Sequence, residues 1–469
     1  MEFSARTGQL NDALIAVEIG RARLLTSAAL LSDPDLDVIE DPGLRGQIAR
    51  TVQQMRYYEQ ARVNPNWTAT VASGTQIKAL RAEMKRLQSL PGARQLALPS
   101  VEALRQNAAE RTVICLCAGE AGGAALVVPA DPDAQLEAIL LPDAALAAIA
   151  VRAKAIADVT KLLKEDPRAA FEGIDACCNW ISSAAIGPIM QRVAIRRITF
   201  IATSWFSLIP LRAAWHSISD GTGRRYPLDD VSVCSIPNLR VLSRVQRQLG
   251  PLSAASVLIV ADPAAGSEQA LPSARSEAHA VRRLLPSVSS FIGQEATRGV
   301  VVRKLPHCAI AHFACHAISD VGQPLESGVQ LAGGQWLRVH DIMQLSLPKS
   351  PYVVLSACET AGIGRSAPDE GVGLPAAFLQ AGATGVIASS WSVSDDSTSL
   401  LMVRLYDEMQ RTPHDLALAL SQAQTWLRGA SPQLLKDAAR QYGMEKVEVP
   451  QRPTPYAHPF FWAAFGYTG

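Results

Sequence analysis

The sequence predicts an α/β protein, a mostly parallel β-sheet flanked by helices and preceded by an α-helical N-terminal region. Three observations predict it. From about residue 255 onward, short apolar runs alternate regularly with helical stretches, the pattern of a parallel sheet covered on both faces. The runs are continuously apolar, as strands buried on both faces are. Residues 1–92, by contrast, carry their apolar side chains at helical spacing.

The elements follow in order. Leu10, Leu14, Val17 and Leu24 recur at helical spacing, as do Ile77, Leu80, Met84 and Leu87, with Asn64-Pro65-Asn66 and Pro91-Gly92 as breaks. Residues 110–250 are mixed, with strand-like runs at 113–117, 125–128, 138–141 and 198–202 between Ala-rich helices. Residues 251–469 alternate, with strands expected at 257–260, 288–292, 309–313, 329–331, 352–355, 386–389 and 460–465. Helices are expected at 275–285, 297–305, 373–380, 398–409 and 413–427. Thr412 before Pro413, with Asp415 three residues on from Thr412, reads as a helix start. Three regions result: 1–92, 110–250 and 251–469.

Composition narrows the function classes. The 469 residues are 48% hydrophobic and 19% charged, with a net charge of +1. No broad field therefore points to nucleic acid or an anionic membrane as a direct partner. No apolar run reaches the roughly 18 residues of a membrane span, and the N-terminus lacks a signal peptide's apolar stretch. The eight cysteines form no disulfide framework; Cys177-Cys178 is adjacent and Cys115-x-Cys117 lacks zinc spacing. No G-x-x-x-x-G-K or G-x-G-x-x-G cradle is present. The expectation is a cytoplasmic protein without metal or cofactor.

Two apolar runs end on reactive side chains. Ala309-Ile310-Ala311-His312-Phe313-Ala314 leads into Cys315-His316-Ala317, and Tyr352-Val353-Val354-Leu355 into Ser356-Ala357-Cys358-Glu359-Thr360. Catalytic side chains of open α/β sheets gather beyond the carboxyl ends of their strands. His316 and Cys358 are therefore the candidate base and nucleophile, since a thiol beside an imidazole can ionise at neutral pH. The bland alternatives are a core histidine and a buried thiol. His312 and His458 read as structural, and Cys315 alternates to the opposite face of a strand, into the core.

At these residues the chain resembles the CHAT domains, a caspase-like and separase-like peptidase family often found behind tetratricopeptide repeats. His312-Phe313-Ala314-Cys315-His316-Ala317 resembles the family's histidine motif and Val354-Leu355-Ser356-Ala357-Cys358-Glu359-Thr360 its cysteine motif. Further matching signals keep their order: Val260-Ala261-Asp262-Pro263, Asp369-Glu370-Gly371-Val372-Gly373-Leu374, Phe378-Leu379-Gln380-Ala381-Gly382-Ala383, Ser390-Trp391-Ser392-Val393-Ser394-Asp395-Asp396 and His458-Pro459-Phe460-Phe461-Trp462-Ala463-Ala464-Phe465. The resemblance spans about residues 110–469, with 110–250 as a pseudo-caspase-like half and 251–469 as the catalytic half. Ala317 departs from the family's usual Gly. Thr7-Gly8-Gln9-Leu10-Asn11-Asp12-Ala13-Leu14 is similar to the last helix of a tetratricopeptide segment, though no second copy follows at about 34 residues.

The resemblance implies a caspase-like fold and hydrolysis of protein substrates by a Cys358–His316 dyad without a third catalytic member. Backbone N–H groups of Cys358 and Ala317 would hold the oxyanion, a contribution typically worth about 10²–10³ in rate per donor. It also places Asp395 at the acidic position of a Trp-x-Val-Thr-Asp stretch that binds a basic residue before the cut, with Asp396 beside it. A bidentate carboxylate suits Arg; helix capping near Thr398 is the competing role for both. The Gly- and Pro-containing segment from Ala361 to Leu374 invites gating by a regulatory protein on the N-terminal helices. Two competing classes remain: a catalytically silent CHAT scaffold in a signalling or defence complex, and a cysteine acyltransferase.

Overall fold

The computed structural model describes residues 9–20, 41–63, 79–80, 82–84, 86–87, 90, 100–108, 111–193, 195–218, 223–239, 241–242, 256–285, 287–319, 323–357, 373–412, 415–444 and 447–469. Helices α1 (Leu10–Gly20), α2 (Pro42–Val63) and α3 (Val101–Asn107) come first. The apolar stripe of α1 does not stand apart from the sheet. Ala13, Leu14 and Val17 share a buried cluster with Leu104, Val113, Cys115 and Leu126. The Glu18 carboxylate, buried beside them, accepts the Leu239 N–H at 2.9 Å. The sheet thus takes up the face that a repeat partner would need.

Strands β1 (Thr112–Gly119), β2 (Gly122–Val128) and β3 (Glu137–Leu141) form antiparallel pairs. Then come α4 (Leu146–Ala157), α5 (Val159–Glu165), α6 (Pro167–Ile181), a π turn at Ser182–Ile186, α7 (Gly187–Arg192) and β4 (Arg197–Ala202). A small hairpin, β5 (His216–Ser217) with β6 (Arg224–Arg225), precedes β7 (Ser232–Ser235). The alternation follows as β8 (Val257–Ala261), α8 (Pro272–Leu284), β9 (Val288–Ile292), α9 (Arg298–Lys304) and β10 (Ile310–Ala314). Beyond lie β11 (Ala317–Ile318), β12 (Gly328–Gln330), β13 (Trp336–Arg338), α10 (Val339–Ile342), β14 (Tyr352–Leu355), α11 (Leu374–Ala381) and β15 (Gly385–Ser389). The chain finishes with α12 (Asp395–Arg411), α13 (Leu416–Gly429), α14 (Pro432–Gln441), α15 (Pro459–Trp462) and β16 (Phe465–Thr468).

Eleven strands make one sheet, in the order β3-β2-β1-β4-β7-β16-β15-β14-β10-β8-β9. Strands β15, β14, β10, β8 and β9 run parallel, as do β1, β4 and β7. The last strand joins the two parallel blocks, antiparallel to β15 and parallel to β7. Gly385 is required where they meet, because a Cβ there would collide with the Tyr467 ring. Helices cover both faces. On β10, Ile310 and Ala314 pack into the cluster that holds α8, α12 and α13, while Ala311, Phe313 and Cys315 pack into the one that holds α9 and α11. No helix among the described residues is long and apolar enough to cross a membrane.

Three local expectations are corrected. The apolar run at 460–465 is the helix α15, followed by β16: Pro459 opens the helix, His458 Nδ1 accepts the Phe460 N–H at 3.1 Å, and the Trp462 indole donates to Ala457 O. An apolar run buried on all sides does not reveal its period. Thr412 ends α12 rather than starting the next helix, since its N–H and hydroxyl both donate to Glu408 O; Asp415 caps α13 by accepting the Leu418 N–H at 2.9 Å. The run at 329–331 is β12, part of a separate three-stranded antiparallel sheet with β11 and β13. Strand β7, short and flanked by Ser at both ends, escaped the strand list altogether.

Candidate active site

Because β8, β10, β14 and β15 are parallel neighbours, their carboxyl ends share one rim. Onto it come Asp262 after β8, Cys315-His316-Ala317 after β10, Ser356-Ala357 after β14, and Ser390–Asp396 after β15. Cys358 lies outside the described residues, as do Glu359 and most of the segment from Ala361 to Leu374.

His316 is partly exposed, and its Nε2 is 2.7 Å from the Gln269 carbonyl. A carbonyl only accepts, so Nε2 carries the proton and Nδ1 of the neutral ring is left as the basic nitrogen. The peptide after it has a defined aim. Gln330 N–H donates to His316 O at 2.8 Å, and Ala317 and Ile318 face Val329 and Gly328 in antiparallel register. Hydrogen-bonded pairs alternate along such a ladder, so the Ala317 N–H and C=O turn away from β12.

Ala357, the last described residue before the cysteine, is 6% exposed, and its carbonyl accepts the buried Ser389 hydroxyl at 2.6 Å. Strand β15 thereby holds the turn that leaves β14. Past β15, Trp391 is buried and its indole donates to Phe460 O at 3.1 Å, while Ser390 N–H donates to Ala464 O and Ser392 N–H to the Thr160 hydroxyl. Asp395 is exposed in the first turn of α12 and Asp396 half-buried beside it. Neither caps the helix by a side-chain bond; Ser394 holds the cap position. Burial holds the Asp396 carboxyl above its usual range, helped by the charges of Glu448 and Asp395 and opposed by the Glu448 N–H.

The other sequence-noted residues are structural. Cys315 is buried on the far face, and burial pushes its thiol up to about 12. His312 is fully buried, with Nδ1 3.0 Å from the Tyr406 hydroxyl and Nε2 2.9 Å from a Glu277 carboxylate oxygen, close in charge but off the line of a hydrogen bond. His458 caps α15. Among the described residues no group of three or more His, Cys, Asp or Glu side chains could hold a metal ion. A cleft of about 540 Å³ lies elsewhere, lined by Arg224, Tyr226, Arg428, Arg452 and His458. Sequence reasoning missed Gln269, which acts through its carbonyl and so has no side-chain signature, and Ser389, an ordinary strand residue by composition.

Comparison with known proteins agrees with this architecture. No curated protein matches the sequence. Two crystal structures of the Saccharomyces cerevisiae separase–securin complex share 10% identity with the chain, at TM-scores of 0.53 and 0.51. They align with 92% and 91% of this chain but only 36% and 35% of their own, so the chain spans about a third of the separase length. The Arg-specific cysteine proteinase gingipain R aligns at a TM-score of 0.37 and 10% identity, over 66% of this chain and 75% of its own, too loosely to bear on the fold. The separase likeness shows a caspase-like fold. The family assignment rests on sequence: the CHAT domain model matches residues 175–469, from within α6 to the last strand, well over half of the residues, and the chain belongs to the CHAT domain family.

Proposed function

We propose that the chain is a caspase-like cysteine endopeptidase, with Cys358 as nucleophile and His316 as general base and acid. One observation carries the reading: the histidine stands at the end of the strand neighbouring the one that leads to the cysteine. The ladder between β10 and β14 pairs Phe313 with Leu355, and His316 and Cys358 each lie three residues further on. The imidazole is already oriented, with Nε2–H on Gln269 O and Nδ1 without a partner among the described residues. Cys358 passes its proton to Nδ1 and the thiolate attacks the scissile carbonyl. The imidazolium returns that proton to the departing amine, and a water it then activates releases the acyl group. The outward-turned Ala317 N–H supports its role in the oxyanion hole, together with the N–H of Cys358.

Cleavage after a basic residue follows from Asp395, an exposed carboxylate on the same rim. Asp396 is the lesser partner, since its carboxyl already takes the Glu448 N–H. A regulatory protein on the N-terminal helices gates the segment from Ala361 to Leu374. The described cysteines are buried, which suits a reducing cytoplasm.

The test is mass spectrometry of peptide libraries after incubation with the full chain and candidate binders of residues 1–92. New termini should follow Arg or Lys and vanish with Cys358→Ala. His316→Ala should lose several orders of magnitude, since base and nucleophile act as one unit. Asp395→Ala should lose most turnover on Arg peptides and Asp396→Ala less. Full turnover by Cys358→Ala refutes the dyad; a profile led by Asp or apolar residues refutes the pocket; turnover indifferent to every binder refutes gating.

A further inference from the structure

The contact that orients His316 comes from a loop, and one buried carboxylate closes that loop. Asp262 follows β8 directly, is 0% exposed, and sits at φ +44°, a conformation few residues other than Gly adopt. Its N–H donates to Ala314 O at 2.9 Å, two residues before His316. Its carboxylate spans the loop: Oδ1 accepts the Leu271 N–H at 2.7 Å, and Oδ2 accepts from Arg275 Nε in the first turn of α8. Inside the span, the Ser267 hydroxyl donates to Ala264 O and accepts the Gln269 N–H. Gln269 then delivers its carbonyl to His316 Nε2.

The geometry points to Asp262 as a positioning residue for the base: it clamps both ends of the 262–271 loop so that Gln269 O meets Nε2. That contact selects the ring nitrogen left to take the thiol proton. A buried, charged non-glycine residue held at positive φ is costly. Such a residue persists only where the surrounding contacts over-determine it, and here those contacts converge on one carbonyl. With the clamp released, Gln269 O drifts, the ring samples the other tautomer and rotamer, and Nδ1 is presented only part of the time. The inference rests on the His316–Cys358 reading.

The experiment follows the pH dependence of Cys358 alkylation by iodoacetamide in the full chain, the described cysteines being buried. Alkylation reports the thiolate, so it needs no substrate. His316→Ala should move the profile to that of an ordinary thiol, near pH 8.5. Asp262→Ala should move it part of the way and slow labelling at pH 7 by about tenfold. Asp262→Asn, which keeps an acceptor for the Leu271 N–H, should recover part of that loss. Ser267→Ala, on an exposed loop and without effect on folding, should give a smaller shift in the same direction. Asp262→Ala with the parent profile, or Ser267→Ala with the parent profile if Asp262→Ala does not fold, overturns the inference. A parent profile in His316→Ala overturns instead the dyad on which it rests.

Discussion

Two histidines four residues apart have opposite fates because β10 ends between them. His312 lies inside the strand with both ring nitrogens against buried groups, the Tyr406 hydroxyl and the Glu277 carboxylate. His316 lies past the end, where one nitrogen is tied and the other has no partner among the described residues. Removing a partner from a buried charged group costs about 3–5 kcal/mol. His312→Ala should lower the unfolding free energy from urea melts by that margin, with an unchanged m-value, whereas His316→Ala should stay within about 1 kcal/mol of the parent while its activity disappears. Equal stability losses in both would erase the distinction. His458 gives the pH dependence. Burial first, then the Arg224 and Arg452 charges, lower its pKa from 6.5 to about 4, against the pull of Asp175. Its Nδ1 must also stay unprotonated to accept the Phe460 N–H. The unfolded chain then binds a proton that the folded chain refuses, so stability falls as pH drops from about 6.5 to 4. After allowance for partial exposure, the loss should be about 1–2 kcal/mol. Urea midpoints across that range should show the slope in the parent and a flatter one in His458→Asn, which keeps a capping acceptor.

At the scale of elements, short polar residues decide where helices begin. Asp415 caps α13, accepts the Ser232 hydroxyl and pairs with Arg197 at 2.7 Å. It thereby ties a helix start to β7 and β4. Loss of a cap costs about 1 kcal/mol, and the unpaired Ser232 and Arg197 add to it. Asp415→Ala should therefore lose about 2–3 kcal/mol, and Thr412→Ala less than 1; the reverse order in urea melts would restore Thr412 as the start signal. The strands legible in the sequence were those with continuous apolar runs, among them β8, β10, β14 and β15. Strand β7 and helix α15 were not. The first has too little apolar character to stand out, and the second has so much that its period is hidden.

Across the whole molecule, the sheet is continuous only because β16 returns between β7 and β15. A half-buried arginine bolts the same seam. Arg212 donates to the carbonyls of Leu228, Val231 and Ser421 and to Gln424 Oε1. Burial pushes its guanidinium down to about 10, still a cation at neutral pH. Its contacts join residues 228–231, on the approach to β7, with the α13 turn at 421–424. Arg212→Met fills similar space but leaves those acceptors unpaired, a loss of about 3 kcal/mol. Hydrogen exchange should speed up together in β7 and α13. A variant within about 0.5 kcal/mol of the parent, or exchange raised on one side alone, would remove this role.

The sequence by itself determined the parallel block around β10 and β14 and the family, because continuous apolar runs and ordered motifs are local signals, and it offered His316 and Cys358 as the candidate pair. It determined equally that Cys315 faces the core, by the two-residue alternation of a strand. The fold alone decided which groups stand around His316. Gln269 reaches His316 across 47 positions and Ser389 reaches Ala357 across 32, and the first of these contacts is made by a backbone carbonyl, which every residue possesses. The path of the last strand into the middle of the sheet is likewise a long-range pairing. Such partners are chosen by where the sheet brings the chain together, and no local pattern encodes that.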